Sequence, residues 1–239
     1  MMKTPAAAPP RKRASSTSRT ASPGKARAAA PVAKRSLTPE PETIRDAVSR
    51  LKRERIISAA TQMFYSNGLG NTTLEAVGEQ LNVTKPFIYS HFKSKNDLLA
   101  EICSRGIRAW LDVLDRVVSS QGGPTHKLRT LAHELMLAVI ENQAHIAIYT
   151  REEKHLSEDS REGINAMRRD FDRKFCALLD EGVAAGEFSV SDVQITSLAI
   201  GGILSWSYVW YRPEGRLSPE QTANTVADLV LALVQAKAA

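Results

Sequence analysis

Residues 72–95 read TTLEAVGEQLNVTKPFIYSHFKSK, and this stretch decides the fold. Thr72-Thr73-Leu74-Glu75 has the form of a capping box, in which a hydroxyl and a carboxylate reciprocally satisfy the free amides of a helix start. Leu74, Val77 and Leu81 follow at i, i+3 and i+7 and make one apolar face. Thr84-Lys85-Pro86 opens a second helix, with Thr as N-cap and Pro in the first turn, where amides lack intrahelical partners anyway. Ser94-Lys95-Asn96-Asp97 caps a third. Two helices this short bury no core alone, so they need a scaffold and a reason to be displayed. A helix-turn-helix whose second helix enters a DNA major groove supplies that reason.

Outward from this stretch the pattern is helical throughout. Ile56, Ala60, Met63 and Phe64 form a stripe that stops at Asn67-Gly68, a C-cap signal. The helix after Ser94 continues through Ile107, Leu111, Leu114 and Val118 and breaks at Gln121-Gly122-Gly123-Pro124. Leu128, Leu131, Leu135 and Val139 mark the next helix, and a charged one covers about 158–185, stopping near Gly186. Ser191-Asp192-Val193-Gln194 and Ser218-Pro219-Glu220-Gln221 read as two further capping boxes. Between them a helix from Ile195 to Trp210 is apolar around much of its circumference, which predicts burial on more than one side. Val226, Leu229, Val230 and Leu233 belong to the last helix. No segment alternates as a strand does, so the fold class is all-α, with an N-terminal three-helix DNA-binding domain and a larger helical domain.

Three segments follow from composition: a basic tail over 1–42, the helix-turn-helix domain over 43–105, and a helical effector-binding and dimerisation domain over 106–239. The tail is rich in Ala, Pro, Ser and Thr and is expected to be disordered. It carries nine basic residues against two acidic ones, a net +7 in a chain of net +6, so the other 197 residues sum to −1. The basicity therefore describes the tail, which reads as a passive segment, a phosphate-bound tether or a transit peptide. No run reaches the ~18 apolar residues of a membrane span and no signal peptide is visible, so a cytoplasmic protein without membrane contact is expected. Cys103 and Cys176 read as small buried residues in a reducing compartment. HExxH, GxSxG, P-loop, Rossmann-glycine and CxxC patterns are missing, so neither enzyme nor cofactor is expected. Within 82–96 there are three lysines and no acid, interleaved with Tyr89, His91 and Phe92. That local placement, not net charge, points to nucleic acid.

The run RERIISAATQMFYSNGLGNTTLEAVGEQLNVTKPFIYSHFKSKNDLLAEI, residues 53–102, resembles the DNA-binding domain of the TetR family of bacterial repressors. The resemblance rests on the first-helix stripe, the Gly68 turn, Thr72-Thr73, the Ala76-Val77 helix, and Tyr89 to Phe92 followed by Lys95 and Leu98. It implies that Thr84, Lys85, Pro86 and Tyr89 lie on the recognition helix, with Thr84 and Lys85 near bases or nearby phosphates. It further implies that Thr72, Thr73, Tyr89, His91 and Lys95 are mainly phosphate contacts. Lys85-Pro86 departs from the small residues often found there. Phe87 and Phe92 read as anchors to the core.

The second half must support dimerisation, sensing, or both. Gly201-Gly202 in a helix interior costs about 1 kcal/mol per glycine relative to alanine, which a close helix–helix approach would offset. Trp206, Tyr208, Trp210 and Tyr211 fit core packing or an apolar pocket. YTREEKHLS at 149–157 and WYRPEGRLSPEQ at 210–221 resemble the regulatory domain of TetR-family members that control fatty-acid, steroid-ring and aromatic catabolism. That branch typically answers to acyl-CoA thioesters. On this resemblance Tyr149, Arg151, His155, Trp206, Trp210 and Arg212 are the candidate effector site, and Lys154, Arg168, Arg169 and Arg173 are further cations for CoA phosphates. The expected partners are a double-stranded operator, a second copy of the chain and a small effector. A regulator of another apolar ligand or drug, and a non-specific architectural DNA-binder, are the alternatives.

Overall fold

The structure is a computed structural model, and it describes residues 43–235. The basic tail expected over 1–42 lies outside the described residues. Among those described there are nine α-helices, one 3₁₀ turn and no strand. Helix α1 (Ile44–Asn67) starts under Thr43, whose hydroxyl accepts from Asp46 N, and ends at Gly68, whose left-handed φ of 80° stops it. Helices α2 (Leu74–Gln80) and α3 (Lys85–His91) are two turns each, and α4 (Lys95–Val118) runs for 24 residues. Then come α5 (Pro124–Glu141), α6 (Gln143–Glu152), the 3₁₀ turn Glu153–His155, α7 (Glu158–Ala184), α8 (Val193–Trp210) and α9 (Pro219–Leu233).

Several caps fall where the sequence puts them. Ser94 accepts from Asp97 N, and Ser218 with Gln221 forms a full capping box. Others shift. The N-cap of α2 is Thr73, whose hydroxyl accepts from Ala76 N, and Thr72 is fully buried beside it. At α8 the cap is Asp192, which accepts from Ile195 N and stands one residue closer to the helix than Ser191. Thr84 is the N-cap of α3 by position but makes no side-chain cap bond. Helix α6 has no signal in the sequence, since a single non-helical residue, Asn142 (φ −109°, ψ 20°), separates it from α5.

Two cores organise these helices. The first holds Ile56, Phe64, Leu74, Val77, Ile88 and Phe92, together with Leu98, Leu99, Ile102 and Cys103 of α4. Ile148, Leu156 and Ile164 complete it from the second half of the chain. The second is built on Leu128, Leu131, Leu135, Phe175, Leu179, Val226 and Val230, with Leu114 and Val117 of the same α4. Each fully buried side chain of this size contributes roughly 1.5–3 kcal/mol by leaving water. Ile107, midway along α4, packs against both cores. The boundary expected at 105/106 therefore falls inside one continuous helix that two cores share.

Helix α8 is not buried on several sides within this chain. Ser197, Ile200, Leu204 and Ser207 face inward, while Ile195, Leu198, Trp206, Val209 and Trp210 remain exposed, Trp206 by 60%. On α9, Leu229 and Leu233 are exposed as well. A Cβ built on Gly201 or Gly202 meets nothing within 4 Å, so among the described residues no helix makes the close approach expected there.

Candidate DNA-reading head and effector cavity

The head presents α3 on a rigid base. Ile88 and Phe92 are fully buried, which leaves Thr84, Lys85, Pro86, Tyr89 and Ser90 exposed on the outer face. The turn from α2 is tight. Asn82 takes a left-handed φ of 53°, Val83 N donates to Gly78 O at 2.9 Å, and a Cβ on Gly78 would sit 3.3 Å from both Ile88 Cγ1 and Val83 O. Short polar Asn tolerates the left-handed region better than most residues, and a side chain at position 78 would push Val83 O and Ile88 back by a few tenths of an ångström.

The eight candidate DNA residues divide into two groups. Thr73, Thr84, Lys85, Pro86 and Tyr89 are exposed. Lys85 Nζ lies 2.7 Å from Glu75 Oε1, and Tyr89 donates its hydroxyl to the same oxygen at 3.2 Å. The other three are engaged inside the head. Thr72 donates its hydroxyl to Gly68 O at 3.0 Å. Lys95 Nζ donates to Leu69 O at 2.8 Å and Thr72 O at 3.0 Å. These bonds tie the start of α4 to the loop before α2, because carbonyls past a helix end need donors. His91 packs edge-on against Phe87 at 5.2 Å. Partial burial, with Lys52 and Arg53 nearby, holds its imidazole below the ordinary histidine range. A neutral ring can still donate one N–H to a phosphate, but brings no charge.

Basic residues of α1 brace α3 from behind. Arg53 stacks 4.1 Å from the Phe92 ring centroid and donates to His91 O at 2.9 Å and to Glu101 at 3.2 Å. Arg105 of α4 grips Glu54 of α1 through two bonds of 2.7 Å. A forked guanidinium pair of this kind fixes geometry as well as charge. It holds the Glu54 carboxyl below the usual carboxylate range.

A cavity of about 360 Å³ lies between α4, α6, α7 and α8. Cys103, Gly106, Ile107 and Trp110 form its α4 wall, and Gly201, Gly202 and Ser205 part of its α8 wall. The two glycines open space, where any side chain would fill it. Ile146, Ile164 and Phe171 add apolar surface, and His145, Tyr149, Arg168 and Asp172 add polar groups. The Arg168 guanidinium stands 4.4 Å from the Tyr149 ring centroid. Burial pushes the Asp172 carboxyl up, against the opposing charge of Arg168. Burial likewise pushes the Cys103 thiol up to about 12, which makes it a poor nucleophile.

Of the six candidate effector residues, Tyr149 lines this cavity and the other five do not. Arg151 reaches the Tyr65 ring on α1 at 5.2 Å, and His155 lies 3.7 Å from Glu152. Arg212 donates to Val209 O and Tyr211 O and so closes the end of α8. Trp206 and Trp210 stand on the outer face, Trp206 edge-on to Tyr208 at 6.2 Å. The sequence reading missed Gly106, Trp110, His145 and Asp172, since helical periodicity gives them no mark that distinguishes a cavity wall from a core stripe. His145 stands at a junction. It lines the cavity and also the groove containing Glu54, Tyr65 and Arg105. Among the described residues its Nδ1 is buried without a hydrogen-bond partner.

Two family models match the chain. The model described as bacterial regulatory proteins, tetR family, covers residues 56–102, and that of the tetracyclin repressor-like C-terminal domain covers 121–234. The HTH-type transcriptional repressor KstR2 of Mycolicibacterium smegmatis is 30% identical over 197 residues, 80% of this chain and 93% of that protein. The solved structure of the TetR-family regulator PfmR from Thermus thermophilus is similar at a TM-score of 0.69 and 26% identity, over 74% of this chain and 97% of that one. AibR, solved in complex with isovaleryl coenzyme A and operator DNA, shares the fold at a TM-score of 0.66 and 23% identity, over 78% of this chain and all of that one. The head, the shared α4 and the helical body thus have a family: this chain is a DNA-binding transcriptional regulator that belongs to the TetR family.

Proposed function

We propose that this chain is a repressor that grips a near-palindromic operator as a homodimer and releases it when an acyl-CoA thioester enters the cavity. The observation that carries this reading is the sharing of α4. Its residues wall the cavity at Cys103, Gly106, Ile107 and Trp110, and its first turns build the core under α3. A ligand that favours one tilt of α4 therefore biases the placing of the head, by population shift.

A volume near 360 Å³ falls at the small end of the roughly 300–1,000 Å³ typical of ligand sites. It suits an acyl group with the nucleotide left outside, near Arg168. In this reading Thr84, Lys85 and Tyr89 meet bases or phosphates and Thr73 meets the backbone, while Thr72 and Lys95 stiffen the loop behind them. The exposed stripe of α8, with Leu229 and Leu233 of α9, supports pairing of two copies through these helices. Such a dimer sets two recognition helices about one helical turn of DNA apart. It works where the DNA is, in the bacterial cytoplasm.

A second reading is favoured by Asp172, a half-buried acid in the cavity beside Phe171 and Trp110. Aromatic walls with a carboxylate also suit a lipophilic cation. One experiment separates the two. Footprint the protein on the DNA upstream of its own gene while titrating acyl-CoAs of different chain and ring type, and separately a lipophilic quaternary ammonium. Release by a thioester at micromolar concentration is the expected result. Release by the cation alone would transfer the site to the second reading, and a monomer in solution would sink the dimer.

A further inference from the structure

On the outer surface of the head, two of the side chains that reach for DNA share one carboxylate. Glu75 Oε1, on the first turn of α2, lies 2.7 Å from Lys85 Nζ and accepts from Tyr89 Oη at 3.2 Å. Lys85 Nζ in turn stands 5.5 Å from the Tyr89 ring centroid, so the three groups form a closed triangle across the α2–α3 turn. Lys85 and Tyr89 are exposed and Glu75 is partly so, with the side chains of Lys85 and Glu75 63% and 41% accessible. The segment from 82 to 96 contains three lysines and no acid, which makes an acid reaching in from α2 conspicuous.

A carboxylate here has two opposed effects on DNA binding. It cancels the charge of Lys85 and repels any phosphate that approaches, which weakens binding that depends only on neutralising phosphates. It also holds the ammonium and the phenol in one arrangement. An exposed pair is weak, so a groove offering a well-placed acceptor can take Lys85 away from it, whereas a mismatched duplex gains little by doing so. Specificity is a difference between two affinities, and a repulsive element raises it by penalising the wrong partner more than the right one.

We propose that Glu75 is a specificity-determining residue, which masks Lys85 and presets Tyr89 so that the head discriminates against non-cognate DNA. The proposal rests on the reading that α3 faces the groove. Its test uses the full chain and two duplexes of equal length: one that the wild-type protein selects from a random-sequence pool, and a scrambled version. Glu75→Gln keeps the shape and an acceptor for Tyr89 Oη but removes the charge. It should tighten binding to the scrambled duplex by about fivefold, the scale of an exposed ion pair, and steepen its salt slope by about 0.9, one extra phosphate contact. The selected duplex should gain less, so that the affinity ratio falls. In a Lys85→Ala background the same substitution should gain less on the scrambled duplex, by about twofold at most, since only the repulsion between Glu75 and phosphate remains to be relieved. An unchanged scrambled affinity, or an equal gain on both duplexes, overturns the proposal. The Lys85→Ala protein alone separates the underlying reading. If it binds both duplexes as the wild type does, α3 does not meet DNA through Lys85, and the failure lies there.

Discussion

The head draws its exposed candidate side chains from one short run, Thr73 to Tyr89, whereas the cavity draws its walls from four helices whose lining residues span Cys103 to Ser205. In the head, each surface residue stands within a few positions of the cap or anchor that orients it: Thr73 caps its own helix, and Lys85 and Tyr89 flank buried Ile88. In the body, Gly106, Arg168 and Gly202 become neighbours only once α4, α7 and α8 have packed. The head can therefore be stiff and simple, while the cavity is adjustable and can change with any shift among its helices. The difference fits the proposed division of labour, a locally built surface for DNA and a cavity built from several helices for a ligand.

The sharpest way to break this contrast is Phe92→Ala. Phe92 is fully buried under α3, and its truncation should cost about 3–5 kcal/mol in urea unfolding, together with DNA binding. A single unfolding transition is expected, because α4 welds the head to the body. A separate early transition for the head would mean that the two regions are more independent than their shared helix implies. Next in size is Trp206→Ala combined with Leu229→Ala. Loss of two exposed apolar anchors should shift sedimentation from dimer to monomer, a loss of at least about 2 kcal/mol if either is a hot spot. Effector affinity should stay within about twofold in the monomer, since Trp206 does not line the cavity. A collapse of ligand binding would return Trp206 to the effector site.

Gly201→Ala with Gly202→Ala tests the cavity from the other side. A Cβ meets nothing at either position, so thermal stability should rise by up to about 1 kcal/mol per site while effector binding weakens as the cavity shrinks. Stability without loss of binding would mean the ligand does not touch the α8 wall. His145→Gln should leave effector affinity within about threefold. It should also reduce the coupling between ligand and DNA, typically about 1–3 kcal/mol in such proteins, which gel shifts with and without effector would measure. Equal loss of binding and coupling would make His145 a ligand contact only.

The smallest effect concerns pH. Glu54 sits below its ordinary carboxylate value, chiefly through the Arg105 hydrogen bonds. A lowered folded pKa gives stability that is present above the ordinary carboxylate value of 4.5 and lost as pH falls through the folded value. Acid titration of the unfolding midpoint should therefore be flatter below that value in Glu54→Gln than in the wild type.

Much of the head was legible because its signals are local. Thr84, Pro86 and the run from Tyr89 to Phe92 carry their geometry in spacing alone, and the caps at Ser94 and Ser218 do so too. For Thr72 and Lys95 spacing does not reveal the bonds they make within the head. A hydroxyl and an ammonium look the same in sequence whether they meet phosphates or the carbonyls of a neighbouring loop. The cavity was illegible except through Tyr149 and Arg168, since nothing in a periodic apolar stripe says which residue faces an empty space. The aromatic cluster at Trp206 and Trp210 drew attention by composition, which does not say whether a helix turns its aromatics into a cavity or, as α8 does, outward.

The continuity of α4 has a mechanical consequence. From Gly106 at the cavity wall to the Ser94 cap is twelve residues, a lever arm of about 18 Å at 1.5 Å per residue. Rotating such an arm by about 10° carries its tip by about 3 Å, close to the 3.4 Å step between bases along one strand. In the proposed dimer, a tilt of that size would displace each α3 by about one rung of the DNA ladder, and two copies moving in opposite directions would lose register by two.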